Sequence, residues 1–107
     1  MRIAVAAGAE TVPETLEEST RLLVVETGDD TILAQLPGPD AAGFAELALR
    51  YGCEAVACGT ITDPAVFRRL ADSGVTRYCA AGLAPMEAAR AAEAGTLPIQ
   101  RRFGERK

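Results

Sequence analysis

Residues 52–95, GCEAVACGTITDPAVFRRLADSGVTRYCAAGLAPMEAARAAEAG, decide the fold because they contain one structural unit twice. The unit is a short apolar run, a turn and a segment with helical spacing, and it follows Gly52 and again Gly74. Gly52, Gly74 and Gly95 are 22 and 21 residues apart, a period typical of a strand followed by a helix. Since crossovers between such units are right-handed, we expect the strands at 54–58 and 75–79 to be parallel neighbours.

Three helices are predicted from the apolar spacing and from the residues at the helix ends, at about residues 40–51, 63–73 and 85–94. Asp40 is the expected cap of the first helix, and Thr62 or Asp63 is the expected cap of the second. Pro64 suits the first position of the second helix, because a residue there needs no free N–H. A glycine after each helix can adopt the left-handed conformation of a helix end.

The N-terminal half adds a buried strand and a hairpin. Residues 2–7 form a short apolar run, and the runs 21–27 and 31–36 are separated by Gly28, Asp29 and Asp30, a turn of the kind that closes a hairpin. Residues 8–20 are predicted to form a loop with one helical turn, and 96–100 a short extended piece. The chain is therefore expected to be an α/β protein with the order β-β-β-α-β-α-β-α, a mixed five-stranded sheet and helices on both faces.

Length and composition limit both the organisation and the chemistry of the chain. Its 107 residues allow a single domain, which we assign to residues 1–99, and residues 100–107 form a basic tail. The chain contains no His, so it has no Ser-His-Asp or Cys-His machinery and no imidazole base. No adjacent pair of nucleophile and base replaces them. The sequence therefore predicts a protein that is not an enzyme.

Charge and cysteine content indicate the kind of partner and compartment. The chain carries 11 basic and 15 acidic residues, and four of the basic residues lie in the tail. The acidic body is a poor match for a phosphate backbone, which predicts no nucleic-acid partner. No apolar run is long enough to span a membrane, and none resembles a complete secretion signal. Three cysteines, an odd number, then favour a reducing cytoplasm.

Ligands of parallel sheets usually bind beyond the carboxyl ends of the strands. The loops 8–20, 59–63 and 80–84 are expected to meet there, and two of them precede helices whose free N–H groups favour an anion. The alternative is that these are ordinary turns before capped helices. The candidate cofactor-binding residues of this edge are Cys58, Gly59, Thr60, Thr62, Cys79 and Gly82.

The spacing of the cysteines separates one candidate pair from the third thiol. Cys53 and Cys58 lie at opposite ends of one predicted strand, roughly 16 Å apart. Cys58 and Cys79 end neighbouring strands about 4.8 Å apart and are the candidate metal ligands. The alternative is that all three are small buried hydrophobic residues. Two thiolates fall short of the four that hold an iron–sulfur cluster, so any cluster needs external ligands or a second subunit.

Acidic residues give no support to a nuclease. Some sheets with this order hold magnesium on carboxylates that begin in the first strand, yet residues 2–7 contain no acidic residue. Glu10, Glu14, Glu17 and Glu18 all lie in the following loop, where a solvated acidic face is the simpler interpretation.

Several phrases of the sequence together resemble one known family. They are Met-Arg-Ile-Ala-Val-Ala-Ala at residues 1–7, Arg-Leu-Leu-Val-Val-Glu-Thr at 21–27, Tyr-Gly-Cys-Glu-Ala-Val-Ala-Cys-Gly at 51–59, Asp-Pro-Ala-Val-Phe at 63–67, Ala-Ala-Gly at 80–82 and Ala-Gly-Thr-Leu-Pro at 94–98. Over residues 1–98 the chain resembles the dinitrogenase iron-molybdenum cofactor biosynthesis family. The family commonly has a His-Phe-Gly-Arg-like motif between its first two strands, whereas residues 13–20 here contain neither His nor Arg.

The resemblance implies a ribonuclease H-like α/β fold and a non-catalytic role. It implies a carrier or binding protein for iron-molybdenum cofactor or an iron–sulfur precursor, with a metallocluster donor or acceptor protein as its partner. The alternative is a diverged scaffold that binds a small anion or another protein without metal. Either function is compatible with a monomer or a homodimer.

Overall fold

The central strand of the sheet is the first strand of the chain, β1 (Arg2–Ala7). In the computed structural model, which describes residues 1–38 and 41–101, β1 pairs antiparallel with one neighbour and parallel with the other. The structure is an α/β fold with a mixed, open, five-stranded sheet and three α-helices. The remaining elements are β2 (Arg21–Glu26), β3 (Thr31–Pro37), α1 (Ala41–Arg50), β4 (Ala55–Cys58), α2 (Pro64–Asp72), β5 (Thr76–Cys79) and α3 (Pro85–Ala94).

Along the chain the strands and α-helices follow one another as predicted, β-β-β-α-β-α-β-α, and the helical turn predicted within residues 8–20 is a 3-10 helix at Leu16–Glu18. The arrangement of the strands across the sheet is what differs from the chain order. Across the sheet the order is β3-β2-β1-β4-β5, which is not the order along the chain. The reason is that the hairpin folds back antiparallel on one side of β1, while the right-handed crossovers add β4 and β5 on the other side.

The predicted element boundaries are close to the observed ones. The first two helices span residues 41–50 and 64–72, each shorter than the predicted 40–51 and 63–73, and the third spans 85–94 as predicted. Asp40, the expected first cap, lies outside the described residues. The cap of α2 is Asp63, whose carboxylate accepts a hydrogen bond from the Ala65 N–H at 2.9 Å. Residues 98–100 run beside β5, where Ile99 forms an antiparallel bridge with Tyr78.

Helices cover both faces of the sheet, and each face has its own apolar core. The first core lies under α1 and α2 and contains Phe44, Leu70 and the β1 side chains Ala4 and Ala6. The second core lies under α3 and contains Ala88, Ala89 and Ala92, together with Ile3, Val5 and Ala7 of β1. Successive residues of a strand face opposite sides, so β1 contributes to both cores.

No helix within residues 1–38 or 41–101 combines the length and the apolar character that a membrane crossing requires.

The Asp63 cap gives a prediction about stability. Replacing Asp63 with Ala leaves the first N–H groups of α2 without this acceptor, so we expect the free energy of unfolding to fall by about 1 kcal/mol. Urea unfolding followed by circular dichroism measures the change. Asp72→Ala is the control, because an exposed acidic residue in the last turn of a helix opposes the helix dipole and its removal costs nothing. Equal losses in the two variants would contradict the capping role.

Candidate functional site

The carboxyl ends of three parallel strands, β1, β4 and β5, meet at one edge of the sheet. Val5 pairs with Ala57, and Cys58 pairs with Cys79, so the loops that follow these strands start side by side. These are the three loops that the sequence predicts to converge, at residues 8–20, 59–63 and 80–84. The structure therefore brings the predicted segments together.

Cys58 and Cys79 occupy directly paired positions on β4 and β5. Residues paired in this way point to the same face of the sheet, with their strands about 4.8 Å apart. The Ala80 N–H donates to the Cys58 carbonyl oxygen at 2.8 Å, which holds the two strand ends together. Cys53 precedes β4 and lies at its opposite end. All three cysteines are buried, and none forms a disulfide.

Burial keeps the thiols of Cys53 and Cys58 protonated. Only 1% of Cys58 is exposed, and this burial raises the pKa of its thiol far above the ordinary value, with the nearby Cys79 and Glu17 adding to the effect. Burial also raises the pKa of Cys53 from 9.0 to about 11. A thiol must lose its proton to bind a metal, so both side chains are poor ligands in this conformation.

The described residues offer no third ligand to the cysteine pair. Across residues 1–38 and 41–101, His, Cys, Asp and Glu side chains form no group of three placed to share a metal ion. The ligand role of Cys58 and Cys79 stays a prediction, and in this conformation the pair does not fit a cluster held by the chain alone.

The first loop occupies the polar groups that the sequence assigns to a ligand. The Thr60 N–H donates to the Glu14 carbonyl oxygen at 2.9 Å, and the Thr60 carbonyl oxygen accepts from the Leu16 N–H at 3.0 Å. The Thr62 hydroxyl donates to the Glu17 carboxylate at 2.6 Å. These bonds fasten residues 14–17 across the turn after β4.

The turn after β5 is fastened to the same loop. The Gly82 N–H donates to the Val12 carbonyl oxygen, and the Val12 N–H donates to the Leu83 carbonyl oxygen, both at 2.8 Å. Gly82 has a φ of +92°, a backbone conformation that residues with a side chain rarely adopt. The backbone therefore requires a glycine here, whatever role the residue has in ligand binding.

Gly59 is the point where the first loop approaches most closely. A Cβ atom at this position would lie 2.4 Å from the carbonyl oxygens of Pro13 and Glu14. Such a separation is impossible for a side chain, so glycine is what allows the loop to lie directly on the end of β4. We call residues 12–17 in this position the closing loop.

Gln100, which the sequence assigns to the basic tail, is buried in this region. Its amide oxygen accepts from the Ile61 N–H at 2.9 Å, and its amide nitrogen donates to the Ile61 carbonyl oxygen at 3.1 Å. Only 2% of Gln100 is exposed. The sequence carries no local signal for this contact beyond the predicted extended piece at 96–100, and residues 102–107 lie outside the described residues.

Arg77 connects Gln100 to the helix α2. Its guanidinium lies 4.9 Å from the centre of the Phe67 ring and donates to the carbonyl oxygens of Gln100 and Val75. A cation over an aromatic face is attracted by the ring electrons. Arg77 is therefore committed to internal contacts and is not a free cation for an anionic ligand.

A shallow surface groove of about 420 Å³ lies between α1 and α2 and contains none of the candidate cofactor-binding residues. Its charged lining consists of two arginines, Arg68 and Arg69, and two aspartates, Asp63 and Asp72. Because the two signs balance, the groove does not select an anion by charge.

The contacts of Gln100 give a prediction. Gln100→Ala removes both hydrogen bonds to Ile61 and leaves a buried N–H without its acceptor, so we expect a loss of about 1–3 kcal/mol in the free energy of unfolding. Denaturant unfolding measures it. The control is Gln35→Ala, since Gln35 is exposed on β3. A Gln100→Ala protein as stable as the control would contradict this role.

The raised thiol pKa values give a prediction about pH. A group with a raised pKa in the folded state stabilises the fold below the unfolded pKa, and this contribution is lost as pH rises through the folded pKa. For Cys53 that range is pH 9.0 to about 11. We expect Cys53→Ala to reduce the fall of stability in this range by about 1.4 kcal/mol per pH unit. Unfolding at several pH values measures it, and an unchanged slope would contradict the assignment.

Comparison with known proteins shows the fold. No protein-family model and no curated protein matches the chain. The apo form of the orange protein from Desulfovibrio gigas has 17% identity and a TM-score of 0.77, and the match covers 97% of this chain and 96% of that one. A candidate NifB protein from Thermotoga, of the DUF35 family, has 17% identity and a TM-score of 0.73 over 99% and 98% of the two chains.

A third solved structure has the same architecture. A candidate dinitrogenase from Methanocaldococcus jannaschii has 14% identity and a TM-score of 0.72, covering 95% of this chain and 96% of that one. Coverage of nearly the whole of both chains in each case shows that this protein shares the fold of these proteins. At such identities the likeness concerns the fold, because ligand sites vary on a common scaffold.

Proposed function

We propose that this chain is a non-catalytic binding protein on a nitrogenase-related scaffold, and that its binding face is the carboxyl edge of β1, β4 and β5. The closing loop covers this face. The observation that supports the proposal is that the backbone groups of Thr60 and Gly82 and the hydroxyl of Thr62 all form hydrogen bonds with the closing loop. When the loop moves away, these groups become free at the edge where ligands of parallel sheets bind.

The proposal includes a more specific fold and family for the chain. A ribonuclease H-like topology and membership of the iron-molybdenum cofactor biosynthesis family are supported by the sequence phrases and by a fold shared with a candidate NifB protein and a candidate dinitrogenase. One structural neighbour is an apo form, the state of a binding protein without its ligand. A reducing cytoplasm, which keeps the three cysteines as thiols, is the compartment that the proposal assumes.

The first candidate cargo is a metallocluster, either iron-molybdenum cofactor or an iron–sulfur precursor. Cys58 and Cys79 would present two thiols from one edge, and the remaining ligands would come with the cargo from a donor or acceptor protein. The paired register of the two cysteines supports this candidate. Loop opening is required first, because hydration of the edge is what allows the thiols to ionise.

The second candidate is a metal-free module that binds a small anion or a protein segment. The burial of Cys58 supports it, because a buried thiol that keeps its proton is a poor metal ligand. The Glu17 carboxylate beside Thr62 repels an anionic cargo of either kind while the loop is closed, so binding of an anion also requires the loop to open first. The two candidates differ in one observable, the binding of metal to the opened protein.

Opening the loop is the direct test of the closed face. Gly59→Ala places a methyl group against the Pro13 and Glu14 carbonyl oxygens, so we expect the closing loop to move away and a thiol reagent to label Cys58 at least about tenfold faster, the effect of ~1.4 kcal/mol on the opening equilibrium. Peptide mass spectrometry identifies the labelled cysteine. Gly28→Ala is the matched control, because its Cβ meets only the Glu26 carboxylate at 3.9 Å.

Thr62→Val is a milder opening variant, since it removes only the bond to Glu17. Circular dichroism of each variant shows whether the fold is retained. Labelling of Cys58 that stays at the wild-type rate in folded Gly59→Ala and Thr62→Val proteins would contradict the closed face.

Anaerobic reconstitution with iron and sulfide distinguishes the two cargoes. For a metallocluster carrier we expect iron and visible absorbance in the Gly59→Ala protein, with both lost when Cys58→Ala is added. A protein that opens but takes up no iron favours the metal-free module, which is then tested by phosphate titration followed through NMR shifts of residues 59–63. Iron uptake that is equal with and without Cys58 would contradict a role for the cysteine pair.

A further inference from the structure

The two outermost strands of the sheet, β5 and β3, have different surroundings. At the β5 edge, the Cys79 N–H donates to the Pro98 carbonyl oxygen, and the Gln100 N–H donates to the Arg77 carbonyl oxygen, both at 2.8 Å. Residues 98–100 therefore cover this edge as an additional antiparallel segment. The backbone of β5 is not open to another chain along this stretch.

The opposite edge, β3, pairs only with β2 within the described part of the chain. Every residue of β3 except Ala34 is exposed. Ile32, Leu33 and Leu36 are 44%, 39% and 41% exposed. Residues 31–37 contain no charged residue, so the features that limit pairing at this edge are the irregularity in the register of β3 with β2 and Pro37 at the end of the strand.

The exposed apolar side chains lie on both faces of β3. Ile32 pairs with Val25, which belongs to the core under α3, and Leu36 pairs with Leu22, which belongs to the core under α1 and α2. An irregularity in the register between Val24 and Val25 causes this change of face. A helix docked on one face of the sheet cannot contact the exposed side chains of both faces. A strand added beside β3 places its own side chains next to them on both faces.

We propose that β3 pairs antiparallel with β3 of a second copy of this chain, around a two-fold axis through the middle of the strand. An isologous contact of this kind uses one self-complementary patch, and an uncharged strand meets no like charge in its own copy. Since residues 98–100 cover the outer side of β5, β3 is the open outermost strand of each copy in the part of the chain that the structure describes. The assembly therefore stops growing at a dimer.

The charges around β3 suit this orientation. The hairpin turn carries Asp29 and Asp30, and antiparallel pairing places the turns of the two copies at opposite ends of the contact. Each turn then approaches the end of the neighbouring β3 where Pro37 pairs with Arg21 of β2, about 10 Å from the added strand by two strand spacings. The acidic turns are thereby kept apart from each other. Asp30 keeps its ion pair with Arg90 of its own chain at 3.1 Å, and Arg21 keeps its hydrogen bonds to backbone carbonyl oxygens of its own chain, so the orientation avoids repulsion without requiring a new ion pair.

The contact is small. A single pair of seven-residue edge strands lies at the low end of specific interfaces, below about 1,200 Å² of total buried surface. We therefore expect a weak dimer that dissociates on dilution, with Pro37 limiting its length because proline has no N–H to donate.

Charge exchange at the centre of β3 tests the pairing. Gln35 is exposed and lies one residue from Ala34, so the two copies of Gln35 face each other directly or diagonally across a central axis. We expect Gln35→Lys and Gln35→Glu each to raise the dimer dissociation constant by roughly fivefold, because like charges meet at the axis. An equimolar mixture of the two variants is expected to dimerise at least as tightly as the wild-type chain.

Sedimentation velocity across a dilution series of the full chain measures the association, and circular dichroism confirms that each variant is folded. Ala94→Lys and Ala94→Glu, on the exposed end of α3, are matched controls that we expect to leave the dissociation constant unchanged. A wild-type chain that is monomeric at every concentration overturns the proposal. So does a dimer that ignores charge at Gln35, or a mixture that fails to restore dimerisation.

Discussion

The complete burial of residues 3–7 of β1 is the constraint on which the rest of this structure depends. Residues Ile3–Ala7 are 0% exposed, and their side chains alternate between the two cores. A strand in this position needs a neighbour on each side and an apolar layer on each face. The hairpin supplies one neighbour and β4 the other, while α1 and α2 cover one face and α3 covers the other. The two halves of the chain are therefore joined through this strand.

The direction of β1 also fixes where the closing loop lies. Because β1 runs parallel to β4 and β5, the segment that leaves β1 starts at the same edge as the turns after those strands. The loop satisfies its own backbone groups with theirs, and Gly59 permits the close approach. The same hydrogen bonds that complete the fold thus remove the donors that a ligand would use. In the function proposed above, a ligand at this edge would compete with the closing loop for one set of atoms.

The three cysteines show how position decides chemistry. Cys58 and Cys79 have the pairing that a shared ligand requires, yet burial beneath the strand ends raises the pKa of Cys58 and keeps its thiol protonated. The chain shares its fold with the apo orange protein, while the protonation state of Cys58 follows from how this chain packs its own loop. Scaffold and site are therefore separate properties here, which is why the fold is shown and the cargo is a proposal.

The sequence by itself determined the α/β class, the three helices, a cap of α2 at either Thr62 or Asp63, and the pairing of Cys58 with Cys79. These follow from local periodicity, from cap and glycine signals, and from the near-equal length of two successive strand–helix units. The strand order β3-β2-β1-β4-β5, the closing loop and the burial of Gln100 were decided only by the tertiary structure. Gln100 and Ile61 are 39 residues apart, and Val12 and Gly82 are further apart still, so no local pattern specifies these contacts. They form because buried backbone groups must find partners once the strands have met, whatever the distance along the chain.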